Sequence, residues 1–542
     1  MDTNVLYYGD NLKILRDIPD NTIDLIYLDP PFNSKATYNV LFKEPSGKSS
    51  EAQITAFEDT WHWGNESERT LLELQNSKVA SPQVKELMNL LPILLGRNDM
   101  MAYLSMMCIR LIELRRVLND TGSIYLHCDT TASHYLKILM DAIFGVTNFV
   151  NEIAWRRSQT RSSISRVFRR NHDSILFYSK TDRYPFNMQY KSLSEASLGV
   201  YTKEDEKGFF RPVPLIVSGK RNGETGKPWR GVDPNLCGKG GGHWVTIPAN
   251  LEDYVERGLV IWPKKEGGLP RLKYYLEENK GVPMTDLWDD IELKTANSKE
   301  ALGYPTQKPV SLLERILLTS SHEGDIVLDP FCGCGTAIIA SQTLNRKWIG
   351  IDITHLAIGV MKLRLNNIPG IKYTVKGEPE DIEGARELAR QNKYEFQWWA
   401  VSKIGGQPYG DKKKGADTGI DGYLYFTDYS TDKDKSKKAI ISVKAGGQVH
   451  SSMIRDLGHV IDREKADFGI FLTLEKPTEP MVKESAIKGF YSSQSGYNYP
   501  RIQILTIEDI FQGKKPNIPM WVAPIPLQPV EVRAEGKTKR ML

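Results

Sequence analysis

No apolar run in the 542-residue chain approaches the length of about 18 residues that crosses a bilayer, so no membrane span is expected. The opening Met-Asp-Thr-Asn lacks a basic stretch leading into an apolar one, so no signal peptide is expected either. Cysteine is scarce. Five residues, an odd number in a long chain, argue against a disulfide framework and for a reducing, cytoplasmic setting. The sequence contains no Gly-x4-Gly-Lys-Ser/Thr and no third glycine of a dinucleotide turn, which disfavours ATP and NAD. A large excess of either charge is also missing: Lys+Arg is 71 against Asp+Glu 67, formally +4. Any surface for a polyanion must therefore come from local clustering. Hydrophobic content of 40% and charged content of 25% are ordinary for a globular protein, and the length implies about two to four domains.

Against that background, Asp29-Pro30-Pro31-Phe32 stands out at the end of the apolar run Leu25-Ile26-Tyr27-Leu28. The run reads as a short buried strand, and in open α/β sheets ligands bind beyond the carboxyl ends of strands. Two prolines remove two N–H donors and leave the Pro30 carbonyl free. An acid, a bare carbonyl and an aromatic face suit a flat heterocycle with an exocyclic amine. The same four residues also make an ordinary turn. About 300 residues later, Asp325-Ile-Val-Leu-Asp329-Pro-Phe331-Cys-Gly333-Cys-Gly335-Thr336 is a second strand ending in an acid. A Gly-x-Gly turn, a helix from Thr336 to Leu344 and the strand Trp348–Ile351 ending at Asp352 follow it. Glycines let backbone approach a ligand and an acid after the next strand can hold a ribose, so the series reads as a mononucleoside site.

Taken in order, residues 4–32 alternate strand (Val5–Tyr8), helix (Leu12–Ile18) and strand. Residues 33–95, with Trp61-His62-Trp63, are too long for a plain connection and read as an insertion or lid. Leu104, Met107, Cys108, Leu111, Leu114 and Leu118 form a core-facing helical stripe. Strand (Ser123–His127), helix (Tyr135–Phe144) and strand (Phe149–Trp155) continue a parallel α/β rhythm. Residues 155–170 then carry six arginines, Arg156, Arg157, Arg161, Arg166, Arg169 and Arg170, and no acid. A solvated face is the plain reading of such a run; interleaved Ser and Thr favour phosphate contacts. Residues 181–300 lose the rhythm and are rich in Gly, Pro, Trp and Lys. From Pro309 a helix with apolar positions 312, 313, 316 and 317 leads to the second acid-ended strand. The rhythm stops near Leu365, and residues 376–392 are charged and helical. A second domain follows: Tyr394-Glu395-Phe396 on a helix, the loop 415–422 containing Asp421, and the strand Ala439–Lys444. The tail from Lys514 is proline-rich and reads as extended or disordered.

The two acid-ended motifs together resemble the amino-methylating DNA methyltransferases, with Asp-Pro-Pro-Phe as catalytic motif and Asp-x-Phe-x-Gly-x-Gly as cofactor motif. Catalytic before cofactor matches the permuted β-class order. Gly9-Asp10-Asn11-Leu12, Asn171 to Lys180 and Tyr304-Pro-Thr-Gln-Lys-Pro309 also resemble that family's motifs, and the likeness covers roughly residues 4–365. The resemblance implies a Rossmann-like α/β fold and S-adenosyl-L-methionine as cofactor. It implies catalysis by Asp29, Pro30, Pro31 and Phe32, and cofactor contacts from Asp10, Thr306, Lys308, Asp329, Phe331, Gly333, Gly335, Thr336 and Asp352. Double-stranded DNA would be the substrate and a homodimer is an admissible assembly. By the same likeness residues 1–180 are the catalytic half, 181–300 target recognition and 301–370 the cofactor half. The stretch 371–392 is a linker, 393–513 a second domain and 514–542 the tail. Methylation at cytosine carbon 5 needs a Pro-Cys in that family, and no cysteine here follows a proline. An Asp at the first catalytic position leans to adenine N6 over cytosine N4. A catalytically dead DNA-binding relative and a fused restriction-modification enzyme are the other readings. Residues 390–510 resemble the Mrr-like branch of the PD-(D/E)xK nucleases, which implies Glu395, Asp421 and Lys444 as site residues and Mg²⁺ on Asp421. Ser442 stands where Glu or Gln is usual, so an active nuclease and a DNA-holding relic both remain open.

Overall fold

The computed structural model describes residues 1–31, 36–43, 49–59, 62–157, 168, 170–265, 268–291, 307–409, 419–428 and 437–519. The chain separates into Met1–Asn187 with Asp286 onward, and a second unit, Met188–Thr285.

The first unit is built on a nine-stranded sheet. From edge to edge it runs Leu287–Trp288, Phe149–Arg156, His172–Ser179, Leu118–Cys128, Ile23–Leu28, Ile326–Asp329, Lys347–Asp352, Val5–Tyr8 and Thr374–Lys376. The two motif strands, far apart in sequence, lie side by side, with Leu25 opposite Val327 and Ile26 opposite Leu328. Both are buried on both faces, as central parallel strands are. Leu25 and Tyr27 join the cluster of Leu312, Leu313, Ile316 and Leu317 from the helix Val310–Ser320. Ile26 and Leu28 face the other side, in the cluster with Met107, Leu111 and Leu114 from the helix Asp99–Val117.

The parallel rhythm expected from the sequence is broken once among these strands. His172–Ser179 runs antiparallel to both neighbours. No helix is described between it and Phe149–Arg156, and a parallel return needs a crossover, usually helical. The sheet is therefore mixed. It also gains Thr374–Lys376 beside Val5–Tyr8, beyond the expected end near Leu365.

The stretch 33–95 divides in two. Ala36–Lys43 and Ser49–Asp59 form an antiparallel hairpin. Helices Asn65–Asn76 and Pro82–Leu95 are built into the main core through Leu71, Leu74, Val84, Met88 and Leu91. Their cover explains why Asp99–Val117 is buried on nearly every side rather than along one stripe.

The C-terminal part has a sheet ordered Gln407–Pro408, Gly422–Phe426, Lys437–Lys444, Phe468–Thr473 and Ile502–Thr506. Its first three strands pair antiparallel and its last three parallel. The stretch expected as a linker carries the helix Ile382–Gln391, whose Ala385 and Leu388 sit in this domain's core with Phe396 and Trp399. Past Lys514 the described chain stays anchored: Asn517 exchanges two hydrogen bonds of 2.7 Å with Gln503, and Ile518 packs on the core. The rest of the tail lies outside the described residues.

This domain is joined to the main sheet by a packed seam. The helix His355–Asn366 lies against Lys393–Lys403. Cys334, Leu356 and Val360 share one buried cluster with Trp398, Ile420 and Tyr423. Glu378, its side chain 9% exposed, takes Lys362 at 3.1 Å and Lys403 at 2.9 Å.

The second unit has a four-stranded antiparallel sheet, Val260–Ile261, Arg271–Tyr275, Gly208–Pro214 and Lys203–Asp205, and a small core of Leu215, Trp229, Trp244 and Leu251. Trp229 and Trp262 stack at 5.7 Å with the Arg230 guanidinium over both rings.

Candidate active site

The carboxyl ends of four adjacent strands open onto one cleft of about 200 Å³, whose lining includes Gly9, Asp10, Asp29, Pro30, Lys308, Phe331, Gly333, Thr336 and Asp352. The structure thus brings together the described motif residues that the sequence separates. Phe32 and Thr306 lie outside the described residues, as do Arg161, Arg166 and Arg169.

Asp29 is held from one side only. Its Oδ2 accepts from the Lys308 ammonium, itself buried. Its Oδ1 is buried and has no hydrogen-bond partner among the described residues. An acceptor removed from water without a donor costs about 1–3 kcal/mol, more when charged. Such an atom is what a ligand N–H would satisfy.

The glycine turn is braced from below. Asp329 Oδ1 accepts from Phe331 N at 3.1 Å, and Cys332 N donates to Ile351 O at 3.0 Å. Gly333 has φ +49, and Gly335 has φ +77 where the helix Thr336–Thr343 begins. A Cβ on Gly335 would lie 2.6 Å from Met361 Cγ, so a side chain does not fit. Asp352, expected as a ribose acceptor, gives Oδ2 to Gly333 N at 2.9 Å and Oδ1 to the Thr354 N–H and hydroxyl, each at 2.9 Å. It pins the turn while remaining in the cleft wall. Burial pushes the Asp329 carboxyl well above its ordinary range, and Asp352 is raised for the same reason. Burial likewise raises the Cys332 and Cys334 thiols, so neither is a ready nucleophile.

Asp10 caps the helix Asn11–Asp17, its Oδ1 accepting from Leu12 N at 3.0 Å and from Arg110 at 2.8 Å. Arg110 Nε also donates to Asn11 Oδ1 at 2.6 Å, and Asn11 Nδ2 donates to Pro330 O at 2.7 Å. Arg110 thereby ties the first loop to the glycine turn. Sequence reasoning placed Asn11 in the first-loop motif and passed over Arg110. The available signal was a single charged residue in the run Met100–Ile112.

Of the described arginines in the basic stretch, Arg156 donates to Asp289 O at 2.6 Å and Arg157 pairs with Asp173 at 3.2 Å. Exposed Arg170 reaches Thr131 Oγ1 at 3.4 Å. In the C-terminal domain Asp421 Oδ2 accepts from Val443 N at 2.6 Å, one residue from Lys444. Glu395 is buried at the seam, its Oε2 accepting from His355 N at 3.2 Å. No group of three or more His, Cys, Asp or Glu side chains able to hold a metal gathers among the described residues.

The model of a protein family described as DNA methylase matches residues 23–361. The type II methyltransferase M.EcaI of Enterobacter cloacae is 39% identical over 252 residues, covering 46% of this chain and 54% of its own. The Mod subunit of the type III restriction-modification enzyme StyLTI of Salmonella typhimurium is 29% identical over 358 residues, covering 64% and 50%. The chain thus spans about half the length of these curated relatives. Among solved structures, the PvuII cytosine-N4-specific DNA methyltransferase matches with a TM-score of 0.33 at 12% identity, covering 69% of this chain and 89% of that one.

Proposed function

The chain belongs to the DNA methylase family, and from that premise we propose that it transfers the methyl group of S-adenosyl-L-methionine to adenine N6 in double-stranded DNA, as the modifying arm of a restriction-modification system. The observation that carries this reading is the unpartnered Asp29 Oδ1 in the cleft, with Oδ2 secured by Lys308.

The lone pair of the adenine amine is delocalised into its ring, so the nitrogen is a poor nucleophile. Asp29 Oδ1 and the Pro30 carbonyl accept hydrogen bonds from its two N–H groups, which favours a tetrahedral nitrogen and frees the lone pair. When bound, S-adenosyl-L-methionine supplies an electrophilic sulfonium methyl. Asp352, the Gly333–Gly335 turn, Asp10 and Lys308 are the residues that would hold it, and the resemblance adds Thr306 to them. Lys308 keeps Asp29 oriented. After transfer the amine sheds one proton, and Asp29 Oδ1 is the acceptor at hand. The base leaves the duplex to reach the cleft, at a cost of about a few kcal/mol, and Phe32 would stack on it. Arg156, Arg157, Arg161, Arg166, Arg169 and Arg170 supply phosphate contacts, and the unit Met188–Thr285 target recognition. Sequencing genomic DNA from a host expressing the protein tests the reading. N6-methyladenine at one short motif is expected, N4-methylcytosine would move the assignment to the other amine, and unmodified DNA would overturn it.

For the C-terminal domain the reading is a nuclease-like frame that holds DNA. Asp421 beside Val443 and Lys444 fits that frame, and Ser442 leaves it a carboxylate or amide short. A plasmid carrying the target motif, incubated with protein and Mg²⁺ but no cofactor, should stay intact. Rapid specific cleavage that disappears in Asp421→Ala and Lys444→Ala would make this a single-chain restriction-modification enzyme.

A further inference from the structure

Behind Asp29 runs a line of buried polar groups that the methyl-transfer step does not use. Tyr27, two residues before Asp29, lines the same cleft and is 3% exposed. Its hydroxyl lies 3.0 Å from His127 Nδ1. His127, fully buried, lies through Nε2 3.2 Å from Asp173 Oδ2. Asp173 Oδ1 is 3.2 Å from the guanidinium of Arg157, whose side chain is 37% exposed at the start of the arginine-rich stretch. Trp155 fixes the imidazole by an edge contact, ring centroids 5.6 Å apart.

The direction of the chain follows from its ends. Asp173 is an acceptor only, so Nε2 carries the proton that faces it. In the neutral ring Nδ1 then accepts from the Tyr27 hydroxyl, and the remaining Tyr27 lone pair is an acceptor. Burial works to raise the Asp173 carboxyl, but His127, Arg157 and Lys308 overcome it and hold it below its ordinary value. Stability alone does not call for such an arrangement, since apolar residues of like volume often serve a core as well or better than buried charge. What the arrangement does is join an exposed cation to a side chain of the cleft through three strands of one sheet.

We propose that Asp173 and His127 are positioning residues that couple a DNA phosphate contact at Arg157 to the cleft wall at Tyr27. The proposal rests on the reading of the chain as a methylase of duplex DNA. The Arg157 guanidinium pairs with Asp173 Oδ1 by charge at 3.2 Å without a hydrogen bond to it, and its solvent-facing side is left for a phosphate oxygen. A phosphate seated there fixes Arg157, and through the ion pair and the imidazole fixes the Tyr27 ring beside the catalytic carboxylate. Duplex engagement and alignment of the target amine then become one event.

The test uses the full chain with Tyr27→Phe, Arg157→Ala, Arg157→Lys and the double variant Tyr27→Phe/Arg157→Ala. Each is assayed for kcat and KM on a duplex oligonucleotide bearing the target motif across a salt series, for cofactor affinity and for melting temperature. Arg157→Ala should raise KM for DNA about 10-fold and lower the salt slope by about 0.9. It should also lower kcat about 5-fold, with Arg157→Lys recovering most of the KM. Tyr27→Phe should lower kcat with little change in KM, and Arg157→Ala should cost no further kcat in that background. Cofactor affinity should stay within about twofold throughout. Losses in kcat that multiply in the double variant, or an Arg157→Ala enzyme with wild-type kcat and salt slope, would overturn the coupling. A wild-type chain inactive on every duplex would instead remove the methylase reading beneath it.

Discussion

Asp29→Asn should lose about 100- to 1,000-fold in methyl transfer, the range seen when one preorganised polar contact to a reacting group is removed, while cofactor affinity changes little. The expected severity of so small a change comes from Lys308. Its ammonium occupies Oδ2, so in the amide variant it will claim the one remaining oxygen. The new NH₂ group is then turned into the cleft, where it meets the amine of the target base as donor against donor. Asp29→Ala should be equally inactive for a second reason, because it leaves the buried Lys308 without its carboxylate. Breaking a buried pair from one side costs about 3–5 kcal/mol, so this variant should also melt early. Adding Lys308→Ala to Asp29→Ala should restore much of the melting temperature and none of the activity. Turnover and thermal melting of the three variants check this. Near wild-type turnover of Asp29→Asn would remove Asp29 from the reaction.

The Lys308 contact is one that the sequence does not display. The acid-ended strands were legible because buried parallel strands are short apolar runs, and Ile23–Leu28 and Ile326–Asp329 formed where expected. Their adjacency was not legible, because it is a property of strand order, and neither was the pairing of Lys308 with Asp29 across 279 positions. Arg110 was hidden for a different reason. Its helix is so thoroughly covered that a periodic stripe could not separate a core-facing position from one facing the cleft. His127 and Asp173 lie at the ends of the apolar runs Ile124–Leu126 and Ile175–Tyr178, where a polar residue reads as the strand giving way to a loop. Asp352 reads in the sequence as a ligand for a ribose; its geometry shows it bracing Gly333. The run of six arginines was legible as charge, yet Arg156 and Arg157 make inward contacts that no charge count reveals.

The boundary between the two domains is where the sequence and the packing differ most, and it sets the other large expectation. A change from α/β rhythm to a charged helix near residue 376 suggests a chain that can be cut there. The seam argues that it cannot. Leu356 and Val360 are 4% exposed and share their cluster with Trp398, Ile420 and Tyr423 across the boundary. Uncovering two such side chains costs about 1.5–3 kcal/mol each, a large part of a net stability of about 5–15 kcal/mol. Cys334 of the glycine turn belongs to the same cluster, and its carbonyl accepts from buried Arg364 at 2.6 Å, so the turn itself rests on the seam. Glu378 would also lose Lys403. A chain ending at residue 381 should therefore aggregate or melt far below the full-length protein, and any soluble fraction should bind cofactor weakly. Supplying residues 382–519 as a separate co-expressed chain should recover solubility and binding together, because what is missing is a surface and not a tether. A truncated chain with full-length melting temperature and cofactor affinity would show that the seam contributes nothing to the site.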